Sequence, residues 1–359
     1  MRLRNCIGSL LLTLMLCSCN SWLDVDLINQ SEESDLFSTE RGFSEALAGV
    51  YCDIAASNMY GQTLSFGMLD IMSRIYDYSQ IPNKMKIFRD YDYENKDMKS
   101  YIYLLWSSFY ANIAALNNIL EWSEKNASVL SDERRNQVRG EALALRGLLH
   151  FDIYRLFATD VKLDPKARVL PYQTKFGVKT PPVYSTMDYL NLVIGDLEDA
   201  VKYLENDPIK EVKPYQLGNG DDENKDGADL YVARMNYYAT KALLARVYLS
   251  MGGDKIKDAR RLAEEVIDCG KFALVNYEKS LNTDEANKDL LFSDEHIFSL
   301  RGQNVKSDAE GVHKQITGTD GNVQMASGYQ SILYLGDLED YSCLLYTSDA
   351  DDDLIGVDL

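Results

Sequence analysis

Between Ser131 and Leu156 the chain sets Val138, Ala142, Leu145, Leu149, Ile153 and Leu156 three or four residues apart, and it is heavily apolar toward the end of that stretch. This is the helical period, and the Ser131 side chain can cap the first turn. A long helix so apolar belongs in the middle of a fold rather than on its surface.

The same period marks further helices. Leu36 to Tyr51 carries Phe43, Ala46, Leu47 and Val50. A second helix is predicted from about Tyr101, with Trp106, Phe109, Tyr110, Ile113, Leu116 and Leu120 on one stripe and Asn112, Asn117 and Asn118 left to other faces. Pro165, Pro171, Pro181 and Pro182 then rule out helix between Ala158 and Tyr184, because proline lacks the amide donor and clashes with the preceding turn. That stretch reads as an extended connection. Helical spacing resumes with Leu190, Val193, Ile194, Leu197, Val201 and Leu204 and ends before Pro208, followed by an acidic, glycine-containing loop from Gly218 to Asp229.

A helical hairpin follows. Its first arm runs from about Ala233 to Met251, with Ala242, Ala245 and Leu249 on one side. Its second runs from about Ile256 to Cys269, with Ala259, Leu262, Ala263, Val266 and Ile267 inside. Small residues at these positions allow close approach, as in tetratricopeptide pairs, although no strict repeat period is visible. Beyond Gly270 the pattern breaks into short apolar runs such as His296 to Leu300, and Gly302 to Gly336 reads as loop with a short strand.

With 46% hydrophobic and 26% charged residues over 359 positions, the composition is that of a globular protein with a sizeable core. A formal net charge of -19 disfavours nucleic acid and other polyanions and leaves neutral ligands easier to accommodate. The 24 tyrosines offer flat faces and hydroxyls that suit sugars, and equally suit packing between helices. Of the six cysteines, Cys6, Cys17 and Cys19 lie in the leader and Cys343 near the end. Cys52 and Cys269 alone do not make a disulfide framework.

Arg2 and Arg4 precede an apolar run from Ile7 to Leu16 that is long enough for a signal-peptide core and too short to span a bilayer. Leu16-Cys17-Ser18-Cys19 resembles a bacterial lipobox with Cys19 as the lipidated residue, Cys17 fitting worse because Leu16 would occupy the small-residue position. Each buried acyl methylene would contribute about 0.8 kcal/mol to anchoring. The alternative is an ordinary cleaved signal with an incidental cysteine.

Several segments, in this order, resemble the SusD/RagB family. They are Trp22-Leu23-Asp24-Val25, with Leu27 where the family usually has proline; Phe37 to Phe43 and Ala46 to Tyr51; Tyr110 to Asn117; and Gly140-Glu141-Ala142-Leu143-Ala144-Leu145-Arg146-Gly147-Leu148-Leu149-His150-Phe151. Asp196 to Ala200, Ala239 to Leu249 and Ala263 to Ile267 extend the agreement, which covers residues 17 to about 301. Gly147, His150 and Ala158 depart from the family pattern. The resemblance implies a mainly α, SusD-like fold with irregular tetratricopeptide-like helix pairs and a loop-rich second face. It further implies a non-enzymatic, lipid-anchored outer-membrane protein facing the cell exterior, which binds oligosaccharide or polysaccharide and partners a SusC-type TonB-dependent transporter.

The end from Cys343, Cys-Leu-Leu-Tyr-Thr-Ser-Asp-Ala, resembles the conceptual translation of a transposase-type sequencing adapter. The expected organisation is a lipoprotein signal peptide over 1–18, a SusD-like domain over 19–342 that is incomplete at its C-terminus, and a non-native tail over 343–359. A genuine acidic tail is the alternative.

For chemistry, Asp222, Asn224, Asp226 and Gly227 give the opening of a calcium loop, but Ala233 stands where an EF-hand has its closing glutamate. A looser calcium site and a solvated acidic loop both remain open. Arg74, Tyr76, Tyr78, Tyr91 and Tyr93 lie together between the first two helices, aromatic faces for pyranose stacking beside a hydrogen-bonding arginine. Tyr329 and Tyr334 form a second set. His150 reads as packed, while His296 and His313 show no metal spacing. No nucleophile motif or phosphate-cradling loop occurs. Beside glycan capture stand two alternatives, a scaffold lipoprotein binding only other proteins and an all-helical glycosidase using a carboxylate pair.

Overall fold

The computed structural model describes residues 33–74, 83–211, 231–274, 292, 295–302 and 304–317. The expected signal peptide, Cys19 and the stretch 343–359 lie outside them.

Helix α1, Glu40–Ile54, is capped by Thr39, whose hydroxyl accepts from the Gly42 amide at 3.1 Å, and it buries Phe43, Leu47, Val50 and Ile54. Two short helices, α2 (Met68–Ser73) and α3 (Asn83–Arg89), precede α4, Lys96–Lys125, capped by Asn95. Helix α5, Asp132–Phe157, is capped by Ser131 as its sequence predicts. The proline-bearing connection forms an antiparallel pair, β1 (Arg168–Pro171) with β2 (Val183–Ser185), with a register irregularity between Arg168 and Leu170. Helix α6, Thr186–Tyr203, follows directly, then a 3₁₀ turn at Pro208–Lys210. Helices α7 (Tyr237–Met251) and α8 (Lys255–Asp268) form the hairpin, and α9 spans Val305–Thr317.

The long helices pack in series: α1 on α4, α4 on α5, α5 on α6, α6 on α7 and α7 on α8. Successive long helices are therefore neighbours in space, the arrangement of stacked helical pairs. Helix α5 is central. Every residue from Gly140 to Tyr154 is buried, which is why its apolar residues are not confined to one stripe. At the α7–α8 turn, Gly252 and Gly253 both take positive φ, 72° and 56°, where a side chain would be strained. Gly140 and Gly147 bring α6 close to α5: a Cβ at Gly140 would lie 2.5 Å from Leu204 Cγ, and one at Gly147 would lie 2.7 Å from Leu197 Cδ2.

Four expectations need correction. Helix α4 starts at Lys96 rather than near Tyr101, because Asn95 caps it by accepting from the Asp97 amide. Asn112 and Asn117 do not occupy outer faces: they are 5% and 2% exposed, and Asn117 is satisfied by partners on α5 and beyond β1. In the α7–α8 hairpin, Leu249 and Ile267 are 60% and 71% exposed and Ala263 is exposed. The buried faces use Leu243, Leu244, Val247 and Tyr248 against Ala259, Leu262 and Val266. Within the segment expected to be loop, residues 305–317 form α9. Val305, Asp308 and Ala309 share its half-buried face, and the Ser57 hydroxyl donates to the Asp308 carboxylate.

Candidate functional site

Helix α5 carries four polar side chains, Glu141, Arg146, His150 and Asp152, into the core, and each finds a partner, as burial demands. Arg146 donates from Nε and Nη2 to Asp196 of α6 at 2.7 and 2.6 Å and from Nη1 to Asn117 Oδ1 of α4 at 2.7 Å. The Tyr172 hydroxyl donates to the same carboxylate at 2.6 Å. His150 stacks on Tyr172 with ring centroids 3.8 Å apart. Its Nε2 faces the Gln173 carbonyl at 3.4 Å, which can only accept, so Nδ1 accepts from the Tyr189 hydroxyl at 2.7 Å. Burial holds this imidazole down at about 3, hence neutral. It is packed rather than catalytic in placement.

At the other end of the motif, Glu141 accepts from the Tyr51 hydroxyl at 3.0 Å and faces Arg234 at 3.3 Å. Arg234 also reaches both oxygens of Asp207, at 2.6 and 3.2 Å. Asp207 in turn accepts from the amides of Ile209 and Tyr237, tying the 3₁₀ turn to the start of α7. Burial raises the Glu141 carboxyl despite Arg234. Asp152 accepts from the Tyr60 hydroxyl and from Arg155. These groups join helices; none opens to a cleft, and no reactive pair is free among them.

A candidate binding surface lies instead at the N-terminal end of α4. Arg74 ends α2 in the left-handed region, φ 57°, and points its guanidinium back across the turn. It donates to the Arg89 carbonyl at 3.2 and 2.8 Å and sits over the Tyr91 ring, 4.8 Å from its centroid. Tyr91, also at positive φ, donates its hydroxyl to the Met72 carbonyl at 2.5 Å. The structure therefore brings Arg74 and Tyr91 together, with Tyr93 one turn on, linked by its amide to the Tyr91 carbonyl. Arg74 acts here to hold Tyr91 and the chain leaving α3, with the rings as the exposed element. Tyr76 and Tyr78 lie outside the described residues, as do Asp222, Asn224, Asp226, Tyr329 and Tyr334.

The sequence reading missed Tyr101 and Tyr103. Tyr101 packs edge-on against Phe88 of α3 at 5.0 Å, and Tyr93, Tyr101 and Tyr103 are 50%, 46% and 74% exposed. Their signal was present: neither falls on the stripe led by Phe109 and Ile113, so a tyrosine there has no core to fill. Exposed tyrosine rings of this kind can each stack on the C–H face of a neutral ring, with hydroxyls available for hydrogen bonds.

Elsewhere, a cavity of about 180 Å³ lies beside α7 and includes Leu148, Leu243, Arg246 and Phe298 in its lining. Among the described residues no cluster of histidine, cysteine, aspartate or glutamate has the disposition of a metal site, and no helix is long and apolar enough to cross a membrane.

Comparison with known proteins agrees with this architecture. Residues 21–216 match the SusD-like family described as starch-binding and associating with the outer membrane. Among solved structures, the chain is similar to a SusD superfamily protein from Bacteroides thetaiotaomicron, with TM-score 0.50 and 23% identity over 68% of this chain and 50% of that one. It is also similar to a SusD-like carbohydrate binding protein from Bacteroides vulgatus, with TM-score 0.55 and 17% identity over 77% and 54%. A SusD superfamily protein from Bacteroides fragilis gives TM-score 0.52 and 20% identity over 74% and 56%. The chain thus spans about half the length of these structures. No curated protein matches it. The family match takes in α1 to α6 with the whole polar interior of α5, and on that ground the chain belongs to the SusD-like family.

Proposed function

We propose that this protein is a cell-surface lipoprotein, anchored through Cys19 to the outer membrane, that captures an oligosaccharide or polysaccharide without hydrolysing it and passes it to a SusC-type TonB-dependent transporter. The observation that carries the reading is the match over residues 21–216 to a family described as starch-binding and associating with the outer membrane. The exposed rings of Tyr93 and Tyr103 at the head of α4 support it, since they offer stacking surface to solvent. The net charge of -19 supports a neutral ligand over nucleic acid. The polar side chains of the α5 motif are committed to helix contacts, which supports capture over catalysis. A calcium ion on Asp222, Asn224 and Asp226 belongs to the proposal as an accessory, tested by calorimetry.

The test is affinity electrophoresis of the ectodomain, made from the gene's full reading frame after Cys19, against plant, host and microbial polysaccharides. Retardation by one glycan with no release of smaller sugars is the expected result. Release of products would point to a glycosidase, and the absence of retardation by any glycan would favour a scaffold that binds only proteins.

A further inference from the structure

The stretch from Thr159 to Val183 runs against the charge of the whole chain. It carries Lys162, Lys166, Arg168, Lys175 and Lys179 against Asp160 and Asp164, in a protein of formal net charge -19. Its tip reads Lys175-Phe176-Gly177-Val178-Lys179, and every residue of the tip is exposed. Phe176 is 44% exposed and Val178 fully so, with Gly177 at φ 129° making the bend. Neither lysine takes part in an ion pair among the described residues. Val178 and the exposed part of Phe176, between two unpaired cations on the loop that joins β1 to β2, leave apolar surface that the rest of this fold does not cover.

The direction of the loop follows from α4. The Tyr110 hydroxyl donates to the Pro171 carbonyl at 2.7 Å, and Asn117 donates to the Gln173 carbonyl at 3.1 Å. The chain leaving β1 therefore runs along α4 toward its C-terminal end. The N-terminal segment reaches the same end: Phe37 stacks on Trp122 at 5.6 Å, and its carbonyl accepts from Asn126 at 3.0 Å. Asn117 and Asn126 are about 14 Å apart along the helix, whereas Tyr101 is about 38 Å from Asn126 at the opposite end.

We infer that the Lys175–Lys179 tip is a second membrane contact beside the lipid anchor, its lysines on anionic headgroups and Phe176 and Val178 in the interface. The inference rests on the reading of Cys19 as anchor for its setting. An anionic lipid surface fits better than a protein because apolar tip residues so few and so exposed need a soft medium to enter, with lysine stems reaching back to the headgroups. The acidic remainder of the chain is repelled by the same surface, so the contact stands α4 upright and holds the tyrosine rings away from the bilayer.

To test it, the chain from Asn20, with a hexahistidine tag in place of Cys19, is tethered to vesicles through a nickel-chelating lipid. Artificial tethering makes the result independent of lipidation at Cys19 and of glycan binding. Emission added by Phe176→Trp over the parent chain is read on brominated phosphatidylcholine with roughly one-third phosphatidylglycerol, and about half of it is expected to be quenched. Lys175→Glu with Lys179→Glu in the same background should abolish the quenching while circular dichroism stays unchanged. Unquenched emission on anionic vesicles, equal quenching on phosphatidylcholine alone, or quenching that survives the double substitution would each overturn the proposal. So would a response that appears only when outer-membrane protein is added to the vesicles, which would assign the tip to a protein partner.

Discussion

Arg146 and Asp196 meet as a two-point fork, both carboxylate oxygens engaged at 2.7 and 2.6 Å, inside the contact between α5 and α6. Their side chains are 8% and 11% exposed, so water cannot replace a missing partner. Removing one member leaves a buried charge, and Arg146→Leu is expected to lower unfolding free energy by about 3–5 kcal/mol. Replacing both, Arg146→Leu with Asp196→Leu, should cost distinctly less, because no charge is then stranded. Denaturant unfolding of the two variants checks this; an equal loss in both would mean that the pair itself, not the stranded charge, sets the cost.

A buried group and a half-buried one act on acid stability in opposite directions. His150 titrates at about 3 in the fold against 6.5 when exposed, so the unfolded chain holds an extra proton between those values and stability falls as pH drops from 6.5 toward 3. Burial raises Asp70 from 3.8 to about 6, so the folded chain holds the extra proton and stability falls as pH rises from 3.8 to 6. His150→Phe should therefore differ from the parent by a slope of up to about 1.4 kcal/mol per pH unit across pH 4 to 6. Asp70→Asn should stabilise at pH 7, by about 1 kcal/mol once its partial exposure is allowed for, and not at pH 3.5. Unfolding midpoints across pH 3.5 to 7.5 decide both.

Gly140→Ala sets helix propensity against space. Alanine gains about 1 kcal/mol over glycine inside a helix, but its Cβ would meet Leu204 Cγ at 2.5 Å. Overpacking of this kind costs about 1–3 kcal/mol, so a net loss is expected. Adding Leu204→Ala should recover part of it. A Gly140→Ala protein more stable than its parent would show that α6 can move aside freely.

The helical series was legible because its signal is repeated: the Ser131 cap, the α5 stripe and the α6 stripe all rest on spacing that few other structures share. Where reading failed, a partner outside the segment decided the matter. Asn117 looks like a surface residue until Arg146 and the Gln173 carbonyl are known to face it. Leu249 and Ile267 look like core residues, but each lies off the face that its own hairpin buries. Helix α9 is short and polar, and its place is fixed by contacts such as that between Ser57 and Asp308. The candidate site was half legible. Arg74 and Tyr91 are adjacent in space although far apart in sequence, because Arg74 reaches the Arg89 carbonyl at the end of α3 and the Tyr91 hydroxyl reaches back to the Met72 carbonyl of α2. Tyr101 and Tyr103 were passed over because a ring off the buried stripe looks the same in sequence whether it binds or is simply solvated.

The same geometry separates ring from scaffold within the proposed glycan surface. Tyr93 and Tyr103 are half or more exposed and make no side-chain hydrogen bond to another described residue. Tyr93→Ala and Tyr103→Ala should therefore leave stability within about 0.5 kcal/mol of the parent. Each removes a stacking face of about 0.5–1.5 kcal/mol, so polysaccharide retardation should weaken about 2- to 10-fold per variant. Tyr91→Ala differs in kind. It deletes the hydroxyl that holds the Met72 carbonyl and the ring under Arg74, so both binding and stability should fall. Affinity electrophoresis beside thermal unfolding resolves the three. If Tyr93→Ala and Tyr103→Ala are retarded like the parent on a glycan the parent binds, the head of α4 is not where the sugar rests. A loss confined to Tyr91→Ala would instead mean that the turn shaped by Arg74 acts on a site beyond these rings.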